Sequence, residues 1–295
     1  MPDVNPKKDS QSGLMMAVLA YGLWGAFPLY IYQLRSLDPV AILAFRAIST
    51  ALTLVPIVLL FGRGRMVLRA LSQRASFRSL LTSATLISIN WGFFFYVICR
   101  GQTLQASLAY YVNPLVNVLI AGLFLGERFR RLQWVSIVIA TIAVSIFTWE
   151  VGEFPLWSLI LATTFAGYGF VRRSNPTDSL AALMIETFFM VPVALAYLFW
   201  QETFMDIGSY SFSIHFWLIA SGLITAIPLI LFGGAAKRLK FSTLGMIQYL
   251  SPTGQFLCAV FAFHETMQPA QWVCFGLIWV ALAVLSYDSL TQGRH

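Results

Sequence analysis

Two stretches decide the fold: residues 113–135 read NPLVNVLIAGLFLGERFRRLQWV, and residues 251–273 read SPTGQFLCAVFAFHETMQPAQWV. In each stretch a proline is followed 13 residues later by a glutamate, and Gln-Trp-Val begins six residues after that glutamate. A single offset of 138 residues aligns the two stretches without a gap. Self-similarity at a fixed offset is typical of repeated structural units, so we predict an internal repeat.

The repeat extends outward from these stretches. Residues 41–46 (AILAFR) resemble residues 181–186 (AALMIE) more loosely. We therefore predict two halves, residues 13–149 and 155–288, with short tails at residues 1–12 and 289–295.

The composition indicates an integral membrane protein. Of the 295 residues, 58% are hydrophobic and 11% are charged, and the 25 phenylalanines outnumber the 12 acids. A soluble domain is about 25% charged, and a disordered chain has low hydrophobicity, so both classes are excluded.

Each half contains enough apolar sequence for five membrane helices of about 20 residues. The apolar runs do not alternate with polar residues as barrel strands do, so we predict an all-α membrane protein. The ten predicted spans are Gly13–Gln33, Val40–Phe61, Ser79–Ile98, Leu104–Leu125, Gln133–Trp149, Leu156–Val171, Ser179–Trp200, Ile214–Ala236, Phe241–Phe263 and Ala270–Tyr287.

Basic residues predict the orientation of these spans. With the N-terminus in the cytoplasm, 16 of the 19 Lys and Arg residues lie on the cytoplasmic side, as the positive-inside rule expects. An even number of spans returns the C-terminus to the cytoplasm. The net charge of +7 is thus explained by topology, and we predict no nucleic-acid partner.

An odd number of helices in each half gives the two halves opposite orientations in the bilayer. Inverted repeats of this kind are a transporter architecture, with the substrate site near the midplane between the halves.

Several motifs resemble those of a known family. They are SLAYYVNPL at residues 107–115, LGERFRRLQW at 125–134, YGFVRR at 168–173, LKFSTLG at 239–245 and QYLSPT at 248–253. In this combination the chain resembles the RarD-type permeases of the EamA group, in the drug/metabolite transporter superfamily. The resemblance implies a ten-helix permease of the bacterial inner membrane with both termini cytoplasmic. It also implies a small-molecule substrate, such as a metabolite, an amino-acid-like compound or a drug.

Polar residues recur at helical spacing on the fourth and ninth predicted spans, and related faces of an inverted repeat would line one central cavity. The alternative is that these residues hold helices together by close packing and hydrogen bonds. Asn90 and its neighbour Trp91 are further candidates, because a buried amide needs a partner and an indole can stack on a solute. The two polar faces consist of Tyr110, Asn113 and Asn117 and, 138 positions later, Gln248, Ser251 and Gln255.

Two prolines interrupt these polar faces. Pro114 and Pro252 remove backbone donors and are expected to break their helices, freeing the carbonyls of Tyr110 and Gln248. Freed carbonyls could bind a substrate that donates hydrogen bonds, or the prolines could serve only to bend the bundle.

Arg46 and Glu186 are the only formal charges that the prediction places well inside spans. If unpaired at the centre of a membrane helix, each charge would raise the free energy of membrane insertion by about 2.5–3.5 kcal/mol. Helix geometry puts them about 10 Å apart across the bilayer, which leaves open whether they pair. Three interpretations stay open: Arg46 attracts a carboxylate, Glu186 is a proton or cation site, or both are structural anchors.

Other functional classes are disfavoured. No Gly-Lys dipeptide occurs, so there is no phosphate-binding loop and we predict no ATPase subunit. His264-Glu265 begins like a zinc motif, but Gln268 replaces the second histidine, so we predict neither a metal nor a cofactor. An intramembrane enzyme is disfavoured for want of paired catalytic groups. A passive channel is the main alternative to a carrier.

Overall fold

The structure is a computed structural model that describes residues 6–99, 103–152, 156–201, 207–264 and 269–292. Every regular element in these ranges is helical, as predicted. A 3-10 turn at Ile207–Ser209 and a π-helical turn at Cys258–Ala262 complete the secondary structure. The helices are α1 (Pro6–Gly25), α2 (Phe27–Gln33), α3 (Pro39–Leu60), α4 (Gly64–Ser72), α5 (Arg74–Cys99), α6 (Thr103–Phe124), α7 (Arg131–Val151), α8 (Leu156–Ser174), α9 (Ser179–Trp200), α10 (Phe212–Arg238), α11 (Phe241–Ile247), α12 (Leu250–Leu257) and α13 (Pro269–Gln292).

Within the described ranges, six helical segments are long and apolar enough to cross a bilayer, which makes the chain a multi-pass helical membrane protein. A shorter apolar helix, Ala109–Phe124, covers most of the fourth predicted span. The count of ten spans in two inverted repeats stays a prediction. The six segments are Ser10–Gln33, Pro39–Leu60, Arg131–Glu150, Ser179–Trp200, Phe212–Arg238 and Pro269–Asp288.

Two predicted spans are not single regular helices. The first breaks at Ala26, between α1 and α2, where Pro28 supplies no backbone donor to the first turn of α2. The ninth breaks at Gln248 and Tyr249, between α11 and α12, just before Pro252. Helix α6, in contrast, runs unbroken through Pro114, so the predicted break there is wrong. One missing hydrogen bond is not enough to end a helix that its neighbours hold in place.

Helices α3 and α9 are matched antiparallel neighbours. Both contain 22 residues, and each begins after an aspartate, Asp38 or Asp178, whose carboxylate accepts hydrogen bonds from the first turn. Each aspartate also contacts the far end of the other helix: the Tyr197 hydroxyl donates to Asp38 at 2.9 Å, and Arg63 lies 3.7 Å from Asp178. The two cap contacts therefore mark opposite ends of the bundle.

Charged residues gather at one end of the bundle. Arg63, Asp178 and Lys237 lie together at one end, where Lys237 donates to the carbonyl of Thr177. We name this the basic end, and the opposite end the Asp38 end.

Helix contacts follow the predicted repeat. Under it, α1 corresponds to α8, α3 to α9, α5 to α10, α6 to α11 and α12, and α7 to α13. Helix α1 packs on α10 as α8 packs on α5, and α6 packs on α8 as α12 packs on α1. Three further pairs join an element to its own counterpart: α3 with α9, α6 with α11, and α7 with α13.

Candidate functional site

A cavity of about 420 Å³ lies among α1, α2, α3, α5, α6, α8, α10 and α12. It reaches Arg35, Leu37 and Pro39 at the Asp38 end, and its lining includes no residue of the basic end. Its volume is within the usual range for small-molecule sites. Eight of the ten residues predicted for a substrate pathway line it: Arg46, Asn90, Trp91, Tyr110, Asn113, Gln248, Ser251 and Gln255.

Arg46 is held inside the cavity wall by α10 and by two aromatic rings. Its side chain is 7% exposed, and its Nε donates to Thr225 Oγ1 at 3.3 Å. The guanidinium carbon lies 4.8 Å from the ring centre of Phe27 and 5.1 Å from that of Trp91, both within cation–π range. Among the described residues, no carboxylate lies within ion-pair distance of Arg46.

The side-chain amides of Asn90, Asn113 and Gln255, which line the cavity, donate to backbone carbonyls. Asn90 Nδ2 donates to the Leu161 carbonyl at 2.7 Å, and Asn113 Nδ2 donates to the Ala162 carbonyl at 2.8 Å. Gln255 Nε2 lies 3.5 Å from the carbonyl of Trp24, the one that Pro28 leaves without its helical donor. These residues therefore line the cavity and also join neighbouring helices.

Asn117 does not line the cavity. It is 2% exposed and lies behind the wall, where its Nδ2 donates to Gln248 Oε1 at 2.9 Å and to Asn113 Oδ1 at 3.2 Å. The absence of a side chain at Gly245 gives it room, because a Cβ there would lie 2.6 Å from the Cβ of Asn117.

The predicted free carbonyl at Gln248 is occupied. The backbone N–H of Ser251 donates to it at 2.9 Å, in a tighter turn than an α-helix makes. The backbone thus compensates for the missing donor of Pro252, so this carbonyl is not left without a hydrogen-bond donor.

Glu186 lies outside the cavity and pairs with Arg172. Their closest nitrogen and oxygen are 3.5 Å apart, and both side chains are almost fully buried. The Tyr168 hydroxyl donates to the carboxylate at 3.3 Å, and the Ser83 hydroxyl donates to it as well. Arg46 and Glu186 therefore do not pair. Helices α3 and α9 begin at opposite ends of the bundle, and each side chain leans toward the N-terminus of its own helix, so the two side chains point away from each other.

Arg172 corrects the prediction that only two charges lie inside the bundle. The sixth predicted span ends at Val171, which would place Arg172 on the cytoplasmic side. Helix α8 continues to Ser174, which brings Arg172 inside, 1% exposed, where it also donates to the Ser179 carbonyl at 3.1 Å.

Trp91 and Tyr110 were the aromatic cavity residues that the sequence predicted. The others come from α1, α2, α5 and α8, and nothing in the sequence distinguishes them from aromatic residues that pack between helices. Arg35 was assigned to an outer loop, but it lies at the mouth of the cavity, with its guanidinium 4.1 Å from the ring centre of Tyr32. The unpredicted aromatic residues are Tyr21, Trp24, Phe27, Phe94 and Phe165.

Fold and cavity together define a class: a multi-pass helical membrane protein with a solute-sized site between its helices. Comparison with known proteins then gives the family. The model of the EamA-like transporter family matches residues 11–149. Protein RarD of Escherichia coli K12 is 36% identical over 290 residues, which cover 98% of each chain. An uncharacterized transporter of Vibrio cholerae is 37% identical over 98% of this chain and 96% of its own.

More distant proteins agree with this assignment. The chloramphenicol-sensitive protein RarD of Pseudomonas aeruginosa is 28% identical over 95% of each chain. A solved crystal structure superposes with a TM-score of 0.72 over 92% of this chain and 96% of that one, at 19% identity, which shows the same fold. The chain belongs to the EamA-like transporter family, in its RarD group, and is a membrane transporter of the drug/metabolite type.

Proposed function

We propose that the protein is a secondary permease that moves small organic solutes across the bacterial inner membrane by alternating access, with both termini in the cytoplasm. Ten spans form two inverted five-helix repeats, residues 13–149 and 155–288, and the solute binds between them. The observation that carries this proposal is the cavity, which is walled by both halves and extends to one end of the bundle only.

Matched contacts support the two-repeat arrangement. Helices α3 and α9 share their length and their aspartate caps at an offset of 140 residues. The Tyr249 hydroxyl donates to the carbonyl of Tyr111, its own counterpart at the offset of 138, at 3.1 Å. The conformation described is the one open toward the Asp38 end, which the predicted topology places outside the cell.

Opening toward the basic end requires two sets of contacts to separate. Glu127 joins α6 to α11: its carboxylate accepts from the backbone N–H of Phe241 at 2.7 Å and from that of Ser242 at 3.2 Å. The second is the ion pair of Glu186 and Arg172. The repeat counterpart of Glu127, Glu265, lies outside the described residues.

Glu186 stays a candidate proton or cation site for a conformation in which Arg172 has moved away. Its test is flux through Glu186→Gln in liposomes with an imposed pH gradient. The variant should lose any response that the natural chain has, and an unchanged response would remove Glu186 from the coupling mechanism.

A screen followed by counterflow tests the carrier proposal. Purified protein is first heated with amino acids, metabolites and amphipathic drugs, because ligands of the folded state raise its unfolding temperature. Hits are then loaded into proteoliposomes. A carrier gives saturable uptake that is accelerated by solute on the opposite side. A flux that neither saturates nor responds to solute inside would instead support the passive channel.

A further inference from the structure

We propose that the cavity selects small organic anions in which a carboxylate is attached to a flat apolar body. This inference rests on the carrier function proposed above and adds the chemical class of its substrate. The first observation is the charge of the lining, which includes Arg35 and Arg46 and no acidic residue. In a site of low dielectric constant an uncompensated arginine attracts anions and repels cations strongly.

Arg46 is positioned to bind a carboxylate. Its Nε is occupied by Thr225, and its guanidinium carbon lies over the rings of Phe27 and Trp91. Arg46 lines the cavity, and its two terminal nitrogens make no hydrogen bond to a described residue. A planar, oriented pair of donors matches the two oxygens of a carboxylate.

The remaining wall suits a flat apolar body. Trp24, Phe94 and Phe165 line the cavity together with Trp91. Trp24 and Phe165 already pack at right angles to each other, with ring centres 5.8 Å apart. Aromatic faces and edges favour stacked or edge-on contacts with another ring. A volume of about 420 Å³ is enough for a solute of one or two rings.

The other half of the pathway adds no opposing charge. Glu186 is the sequence counterpart of Arg46, and its carboxylate is neutralised by Arg172 at 3.5 Å. In the conformation described, an anion bound at Arg46 is therefore opposed by a paired acid and not by a free one.

Binding to purified, detergent-solubilised protein tests the proposal with two matched sets of probes. One set is 3-phenylpropionate, its amide and 3-phenylpropylamine; the other is indole-3-acetate, indole-3-acetamide and tryptamine. We expect a raised unfolding temperature and calorimetric binding for the acids only. Equal binding of an amide or amine, or the failure of both acids to bind, would overturn the proposal.

Variants locate the binding site. Arg46→Gln should weaken acid binding about 10- to 100-fold, the effect of losing hydrogen bonds to a charged group. Arg65→Gln, which removes an exposed arginine outside the cavity lining, should leave binding unchanged. If Arg46→Gln does not fold, Thr225→Val keeps the charge but loses its orientation, and should weaken the acids selectively. Undiminished acid binding in the folded variant would contradict the assignment.

Counterflow distinguishes a failure of the anion proposal from a failure of the proposed carrier function. Saturable, trans-stimulated flux of amines or neutral solutes would overturn the anion proposal and leave the carrier intact. Binding of acids that depends on Arg46, without trans-stimulated flux of those acids, would overturn the carrier instead.

Discussion

At the scale of single residues, Glu186 and Arg172 form an ion pair that is almost fully buried in the bundle interior. Removing one partner of a buried pair leaves the other charge uncompensated and costs about 3–5 kcal/mol. We therefore expect Glu186→Gln and Arg172→Met to lower the unfolding temperature strongly when made singly. The double variant should regain most of that loss. Thermal unfolding of the four proteins in detergent measures the coupling.

A surface ion pair provides the control for this double-mutant cycle. Arg63 and Asp178 lie 3.7 Å apart with side chains 40% and 31% exposed, so their pairing contributes about 0–1 kcal/mol. Arg63→Gln should change stability little. Additive losses in the buried cycle would mean that the two charges are stabilised separately, by Ser83, Tyr168 and the Ser179 carbonyl.

At the scale of elements, α3 and α10 approach so closely at Gly222 that only glycine fits. A Cβ there would lie 2.5 Å from the carbonyl oxygen of Ser49 and would also overlap the Thr53 side chain. Gly222→Ala should therefore destabilise the protein by about 1–3 kcal/mol, the cost of forcing atoms into a packed interface. The measurement is thermal unfolding in detergent.

Gly276 is the matched control, because a Cβ there meets nothing within 4 Å and the residue lies inside helix α13. Alanine favours a helix over glycine by about 1 kcal/mol, so Gly276→Ala should raise stability slightly. Equal effects of the two substitutions would show that helix propensity, and not the contact of α3 with α10, decides the result.

The cap of α11 by Glu127 joins two elements that are distant in sequence. Glu127→Ala removes the acceptor for the N–H groups of Phe241 and Ser242, and loss of a helix cap costs about 0.5–2 kcal/mol. We expect faster hydrogen exchange over Phe241–Ile247 together with a lower unfolding temperature. Glu150→Ala, which removes an exposed acid at the end of α7, is the control. Unchanged exchange in α11 would show that the cap is not stabilising.

Much of the candidate site could be predicted because a polar group in an apolar span costs free energy and therefore indicates a specific contact or function. Arg46, Asn90 and Asn113 were recognised by that cost, and all three line the cavity. The helical character of the chain followed from its apolar runs. A break was expected at both Pro114 and Pro252, yet of those two spans only the ninth breaks, because a proline does not reveal whether neighbouring helices will hold the segment together. The break at Ala26 was not predicted.

The partner of Glu186 and most of the aromatic residues of the cavity were beyond sequence reasoning. Arg172 lies at the end of an apolar run, where the positive-inside rule explains an arginine just as well as an ion pair does. Phe165 and Trp24 face the cavity, yet aromatic residues that pack between helices give the same sequence signal. Only the tertiary arrangement separates these cases.

At the scale of the whole molecule, transport requires the basic end to open, and a covalent link there should prevent it. In a background without Cys99, Cys258 and Cys274, we would replace Glu127 and Ser242 with cysteine, since their side chains are in contact across the two halves. A short, reducible crosslinker should abolish counterflow and leave solute binding intact, because the cavity in this conformation opens at the other end. Reduction should restore the flux. A crosslinked protein that still exchanges solute would mean that α6 and α11 stay together throughout the cycle, and that the solute crosses by a route that does not separate them.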